Sequence, residues 1–259
     1  MDGNIFKMIT IADIASMGNA LSGLGSIFAI FIGNDVLAAQ LLLLAVIFDS
    51  IDGPLARRFN RTQLDAVFGE NIDSLADVIS FGVAPAVILY ATAPTYWIII
   101  PCAVILLCGL LRLTRYNTML IDQRGPTRTF VGLPIPVTSF TLAALLLSSV
   151  YDVYVLSILM IIISVLMISQ VPYPKVNDKR AIGIVAVFMI ICLVPGINGY
   201  FAYIPSYLLL LASLLYIFGT IIYGFFSEAQ IRNIQDRLSV FRDGINKTSK
   251  SSGNLFKRK

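Results

Sequence analysis

The chain has 259 residues, of which 57% are apolar and only 13% charged, with a mean hydropathy of +0.83 and a net charge of +4. A soluble domain of this length carries far more charge, so the composition predicts a polytopic membrane protein. Histidine is absent, so any metal must be held by oxygen ligands, which favours Mg²⁺, Mn²⁺ or Ca²⁺ over zinc.

The first residues lack the apolar core and small-residue cleavage site of a signal peptide, and the chain is expected to be mature. Crossing the hydrocarbon as helix takes about 20 apolar residues. By that rule the sequence predicts an all-α polytopic bundle of about eight transmembrane helices, a six-helix core plus a less regular final pair. They fall near 11–32, 36–57, 69–92, 96–116, 135–151, 153–171, 181–194 and 200–226, the fifth and sixth meeting tightly at Asp152. At the head of the first, Thr10 and Asp13 have capping-box spacing, with Asn19 a further polar residue below them. Cys102, Cys108 and Cys192 all lie in apolar runs and read as buried free thiols.

Assigning Lys7, 57–61, 112–128, 175–180 and the tail from Arg232 to one side accounts for all 19 Lys and Arg, leaving the opposite loops with none. The positive-inside rule then puts both termini in the cytoplasm of a multi-pass cell-membrane protein. Tyr96, Trp97, Tyr151, Tyr154, Tyr200 and Tyr203 form an aromatic belt at the outer boundary. The tail from Ser227 carries eight Lys and Arg against three acids. Ile231, Ile234, Leu238, Phe241 and Ile245 give it an amphipathic helix for the inner leaflet, a better account of its charge than nucleic acid.

The densest polar stretch runs from Asp49 to Asp77, and intramembrane charge of this kind marks function. On helices, Asp49, Asp52, Gly53 and Ala56 share one face, and so do Gly69, Asp73 and Asp77. Antiparallel neighbours can bring these faces together at the inner membrane boundary. So many carboxylates in low dielectric call for one or two divalent cations. Small residues beside them leave room for phosphates, and Arg57 offers a permanent phosphate fork. Metal-dependent phosphoryl chemistry and cation transport both remain open from these residues alone. Arg112 and Arg115, at i and i+3 and the same depth, are candidates for substrate contact.

The pattern Asp49-x₂-Asp52-Gly53-x₂-Ala56-Arg57-x₁₁-Gly69-x₃-Asp73-x₃-Asp77 resembles the signature of the CDP-alcohol phosphatidyltransferases, with a spacer longer than usual. The extra residues are expected around 63–67, in the cytoplasmic turn. Asp73-Ser-Leu-Ala-Asp77, Ser80-Phe-Gly82, the run from Leu111 to Asn117 and Gly132-Leu-Pro-Ile-Pro136 are similar to the phosphatidylserine (or archaetidylserine) synthase branch.

That resemblance implies a transmembrane catalytic domain over 1–226, a basic tail over 227–259 and a homodimer. It implies transfer of the lipid phosphate group from CDP-diacylglycerol or CDP-archaeol to L-serine, with release of CMP. Asp49, Asp52, Asp73 and Asp77 would bind Mg²⁺ or Mn²⁺ (or Ca²⁺), as two ions. Asp52, Gly53, Ala56, Arg57 and Gly69 would hold the CDP-lipid, and Asp77 would be the general base. The chemistry of serine adds Arg112 or Arg115 for its carboxylate, with Ser80 or Asn117 assisting. The same chemistry on glycerol phosphate or inositol phosphate is the nearest alternative.

Overall fold

The computed structural model describes residues 5, 8–59, 62–122, 129–174 and 178–223. Among the described residues, one helix falls in each of the eight predicted segments: α1 (Ile11–Phe31), α2 (Asp35–Arg58), α3 (Gln63–Thr92), α4 (Ile99–Asp122), α5 (Pro136–Ser148), α6 (Val153–Ile168), α7 (Lys179–Leu193) and α8 (Ile204–Tyr223). A single turn, Ile197–Tyr200, precedes the last. The protein is an all-α polytopic membrane protein in its framework. Five of the helices are long and apolar enough to cross a bilayer, whereas α5, α6 and α7 have 13, 16 and 15 residues. Residues Met1–Ile217 form one compact unit; of the second, Phe218–Lys259, only 218–223 are described. The amphipathic helix expected in the tail lies outside the described residues.

One expectation is corrected, and one feature is added to the all-α framework. The framework includes a short antiparallel strand pair, β1 (Thr129–Val131) with β2 (Pro172–Pro174), joining the α4–α5 and α6–α7 connections. And α3 begins at Gln63 rather than Gly69, so 63–67 are helix and not turn. The cause is a second capping box. Thr62 Oγ1 accepts from Asp65 N–H at 3.2 Å, and Asp65 Oδ2 accepts from Thr62 Oγ1 at 2.6 Å. Hydropathy sees only the apolar part of such a helix; its polar first turns extend beyond it.

The capping box at Thr10 and Asp13 is present, with Asp13 Oδ2 accepting from Thr10 N–H at 2.6 Å and Oγ1 at 2.8 Å. Asp152 caps α6 by accepting from Tyr154 and Val155 N–H. The three cysteines are free. Tyr96, Trp97, Tyr154 and Tyr200 are strongly exposed.

Helix association in lipid lacks the hydrophobic drive it has in water and depends on close packing by small residues. Ala12, Ala15, Ser16, Asn19, Gly23 and Ser26 form the buried stripe of α1, which packs on α2 and α3. Leu42, Leu43 and Ala45 fill the space on α2, which packs on α5. The contact of α1 with α3 is tight at Gly23, where an added Cβ would collide with the Ser80 side chain and stand 2.7 Å from its Cα. Gly23→Ala is therefore expected to destabilise the fold by about 1–3 kcal/mol, the usual cost of overpacking. A thermal melt in detergent that matched the wild type would show the contact to be slack.

Candidate active site

The Asp49–Asp77 stretch folds as its helical spacing requires. The two acidic faces of α2 and α3 meet, and all eight signature residues line one cavity of about 470 Å³. Pro54, one residue after Gly53, does not end α2, which continues to Arg58. Single carboxylate oxygens of Asp49, Asp52 and Asp73 lie within 4.8 Å of one another. Asp77 is within hydrogen-bonding reach of Asp49, and Asp73 of Asp52. Asp73 Oδ1 is buried without a hydrogen-bond partner among the described residues. An orphaned carboxylate oxygen amid three other carboxylates is what a hard divalent cation would satisfy, so the donor set fits Mg²⁺ or Mn²⁺.

Small side chains open the space beside these acids. Gly53, Ala56 and Gly69 line the cavity, and Arg57 stands exposed at its edge. A Cβ on Gly53 would sit 3.5 Å from Arg57 Nη1, so the guanidinium lies over the glycine.

The third wall comes from α1, which contributes Ala12, Asp13 and Ser16. Ser16 Oγ donates to Asp52 Oδ2 at 3.0 Å, and deeper in α1 Asn19 Nδ2 donates to Asp77 Oδ1 at 3.1 Å. Sequence reasoning assigned none of these to the site. The available signal was the polar stripe Asp13, Ser16, Asn19 at spacings of three, which the capping box only partly explains.

On the far side stand α4 and the loop after β1. Arg112 is buried; its Nε donates to Leu133 O at 2.8 Å, and its guanidinium lies 5.5 Å from the Tyr116 ring centroid and 6.0 Å from that of Phe130. It lines the cavity with Asn117, whose Nδ2 donates to Ser74 Oγ at 2.9 Å.

The structure does not bring Arg115 or Ser80 to the cavity wall. Arg115 gives Nη1 to the carbonyls of Ile168 and Ser169, at 3.0 and 3.1 Å, and Nη2 to those of Val131 and Met167, at 2.6 and 2.8 Å. A cation is well placed at the end of α6, where helix carbonyls are unpaired. Arg115 thereby ties that end to the loop at Gly132, whose φ of +80° and contact with Met167 O leave no room for a side chain. Ser80 is fully buried, donating to Asn19 O at 2.8 Å and accepting at its own carbonyl from Ser139 Oγ at 2.6 Å. It lies in a π-helical turn, Val78–Val83, that begins directly after Asp77. Such turns inside α-helices often accompany functional sites.

The family profile for CDP-alcohol phosphatidyltransferase matches residues 9–170. The chain belongs to that family. The matched region contains every residue of the cavity wall, from Ala12 to Pro136, and stops before α7. Relatives of this phosphatidyltransferase include the archaetidylserine synthase of Methanothermobacter thermautotrophicus, 43% identical over 70% of this chain and 76% of the relative. The CDP-diacylglycerol–serine O-phosphatidyltransferase of Methanocaldococcus jannaschii is 37% identical over 85% of this chain and 97% of its own. That of Bacillus subtilis is 32% identical over 64% and 90%. These similarities give no support to the ion-transport alternative.

Proposed function

We propose that this phosphatidyltransferase moves the lipid phosphate group of CDP-diacylglycerol or CDP-archaeol onto the hydroxyl of L-serine, with release of CMP. The observation that carries the reading is the convergence of all eight signature residues on one cavity, in a chain whose relatives are named as serine transferases.

Asp49, Asp52, Asp73 and Asp77 would hold the divalent ions. When bound there, Mg²⁺ or Mn²⁺ supplies neutralising charge for the diphosphate and the departing CMP. Gly53, Ala56 and Gly69 leave space for the nucleotide, and Arg57 donates to its phosphates at the cavity edge. Asp77 takes the proton of the serine hydroxyl. The serine oxygen then bonds to the lipid-side phosphorus, and the bond from that phosphorus to the oxygen of CMP breaks.

Of the four acceptor-side candidates, Arg112 and Asn117 are the two that line the cavity. Arg112 is buried, with aromatic rings on two sides, and its position suits the serine carboxylate. Placing all Lys and Arg on one side supports a cytoplasmic cavity and cytoplasmic termini. There water-soluble serine meets a lipid whose tails stay in the bilayer. Eight spans, a catalytic domain over 1–226, a basic tail over 227–259 and a homodimer complete the proposal.

Purified protein with Mn²⁺, either CDP-lipid and labelled serine, glycerol phosphate or inositol phosphate in parallel tests it. Label is expected in lipid from serine only, with matching CMP release. Label entering lipid from another acceptor instead would overturn the serine assignment, and the two CDP-lipids compared side by side identify the tails.

A further inference from the structure

We infer that Asn19 is the positioning residue of Asp77, fixing the carboxylate so that a single defined oxygen meets the acceptor hydroxyl. The inference rests on the reading of Asp77 as general base.

Asn19 lies within α1, fully buried, and is not itself part of the cavity wall. Its Nδ2 donates to Asp77 Oδ1 at 3.1 Å. The amide must face that way, since an ionised carboxylate only accepts. Its other half, Oδ1, is buried with no hydrogen-bond partner among the described residues. An amide buried with one half unsatisfied is a standing cost to the fold. Leucine has the same branched four-atom skeleton, though it is bulkier, and would avoid that cost. Packing alone therefore gives no reason for an asparagine here, whereas the N–H it offers to Asp77 does.

The backbone of Asn19 is held as firmly as its side chain. Ser80 Oγ donates to the Asn19 carbonyl at 2.8 Å, from the π-helical turn that starts immediately after Asp77. Gly23, one helical turn further along α1, lets the two helices close on that contact. Asn19 is thus tied to α3 at two points, through its carbonyl to Ser80 and through its amide to the Asp77 carboxylate. The terminal torsion of an aspartate is broad and two-fold, so a carboxylate without such a donor samples many orientations. With Oδ1 engaged by the amide, Oδ2 is the oxygen left to receive the proton as the new oxygen–phosphorus bond forms. Loss of the donor leaves the cavity, its acids and its arginines in place and degrades only the alignment of the base.

Two variants test this in full-length protein with Mn²⁺, CDP-lipid and serine: Asn19→Leu, which keeps the branched skeleton but removes the donor, and Asn19→Ala, which removes the donor and adds neither bulk nor charge. Both are expected to lose about 10–100-fold in kcat, the usual effect of removing a group that orients a site residue. The KM for CDP-lipid, the KM for serine and CMP binding by calorimetry are expected to stay at wild-type values. A purely structural role would instead lower the melting temperature and weaken CMP binding along with turnover. Wild-type kcat in either variant, or a loss carried by KM, overturns the assignment. Should Asn19→Leu fail to fold, Asn19→Ala decides alone, because it adds no volume to the contact. A wild-type protein that releases no CMP with serine overturns the functional reading itself; normal wild-type turnover beside undiminished Asn19 variants overturns this inference only.

Discussion

Asp77→Asn is expected to bind CDP-lipid as the wild type does and to turn it over about 10²–10⁴-fold more slowly, the range that a positioned general base contributes. The replacement keeps the shape of the side chain. Its Oδ1 still accepts from Asn19 Nδ2, so the two-point tie between α1 and α3 survives. What disappears is the proton acceptor. A carboxylate beside divalent ions is a weak base, so its contribution is one of placement more than of basicity, and that contribution goes entirely when the acceptor oxygen becomes an amide. The measurement is CMP release under saturating serine, paired with calorimetric binding of CMP in the presence of Mn²⁺. Undiminished CMP formation would remove Asp77 from the role of base. Loss of CMP binding together with turnover would assign it to holding the nucleotide instead.

The parts of this site that were legible in the sequence are those set by local geometry. Asp49, Asp52, Gly53 and Ala56, and likewise Gly69, Asp73 and Asp77, fall on common faces because helical periodicity alone places them there. A short connection between α2 and α3 then makes the faces meet. The contribution of α1 depends on which of its stripes packs inward, and in lipid that is decided by small-residue fit rather than by hydrophobicity. Thr10 and Asp13 gave the polar helix start an adequate local explanation, which concealed the placement of Asp13 and Ser16 in the cavity wall.

Arg112 and Arg115 show a different limit. Their spacing puts them near the same face of α4, offset by about 60°. That offset sends one guanidinium to the cavity and the other to the carbonyls closing α6. The deciding partner is the loop around Gly132, whose path depends on contacts more than 30 residues further along the chain, at Leu166 in the last turn of α6 and at Val171 just beyond it. The strand pair was invisible for a similar reason. A three-residue strand whose first and last residues are prolines, 172 and 174, carries no alternating pattern, and it pairs where Arg115 and Gly132 bring the two connections together.

Asp52→Asn is expected to fail in a different way from Asp77→Asn, and the contrast tests the division of labour among the four acids. Asp52 sits where one of its neighbours is Asp73 and another is Asp49, and its Oδ2 accepts from Ser16. An asparagine there keeps the Ser16 contact but offers a cation one neutral oxygen in place of a charged one. Binding of Mn²⁺, read by titration calorimetry or by the spectrum of the bound ion, is expected to weaken by at least about 10-fold. CMP binding and turnover should fall with it. Stability should move in the opposite direction. In metal-free protein four convergent carboxylates repel one another, so removal of one charge is expected to raise the melting temperature above that of the wild type. The wild type in turn gains stability from Mn²⁺ by mass action, and the variant gains little. The two melting curves, with chelator and with Mn²⁺, are therefore expected to converge in Asp52→Asn and to separate in the wild type. A variant whose Mn²⁺-induced shift equals that of the wild type would show that Asp52 holds no cation. The carboxylates of Asp49, Asp73 and Asp77 would then be left to form the metal site by themselves.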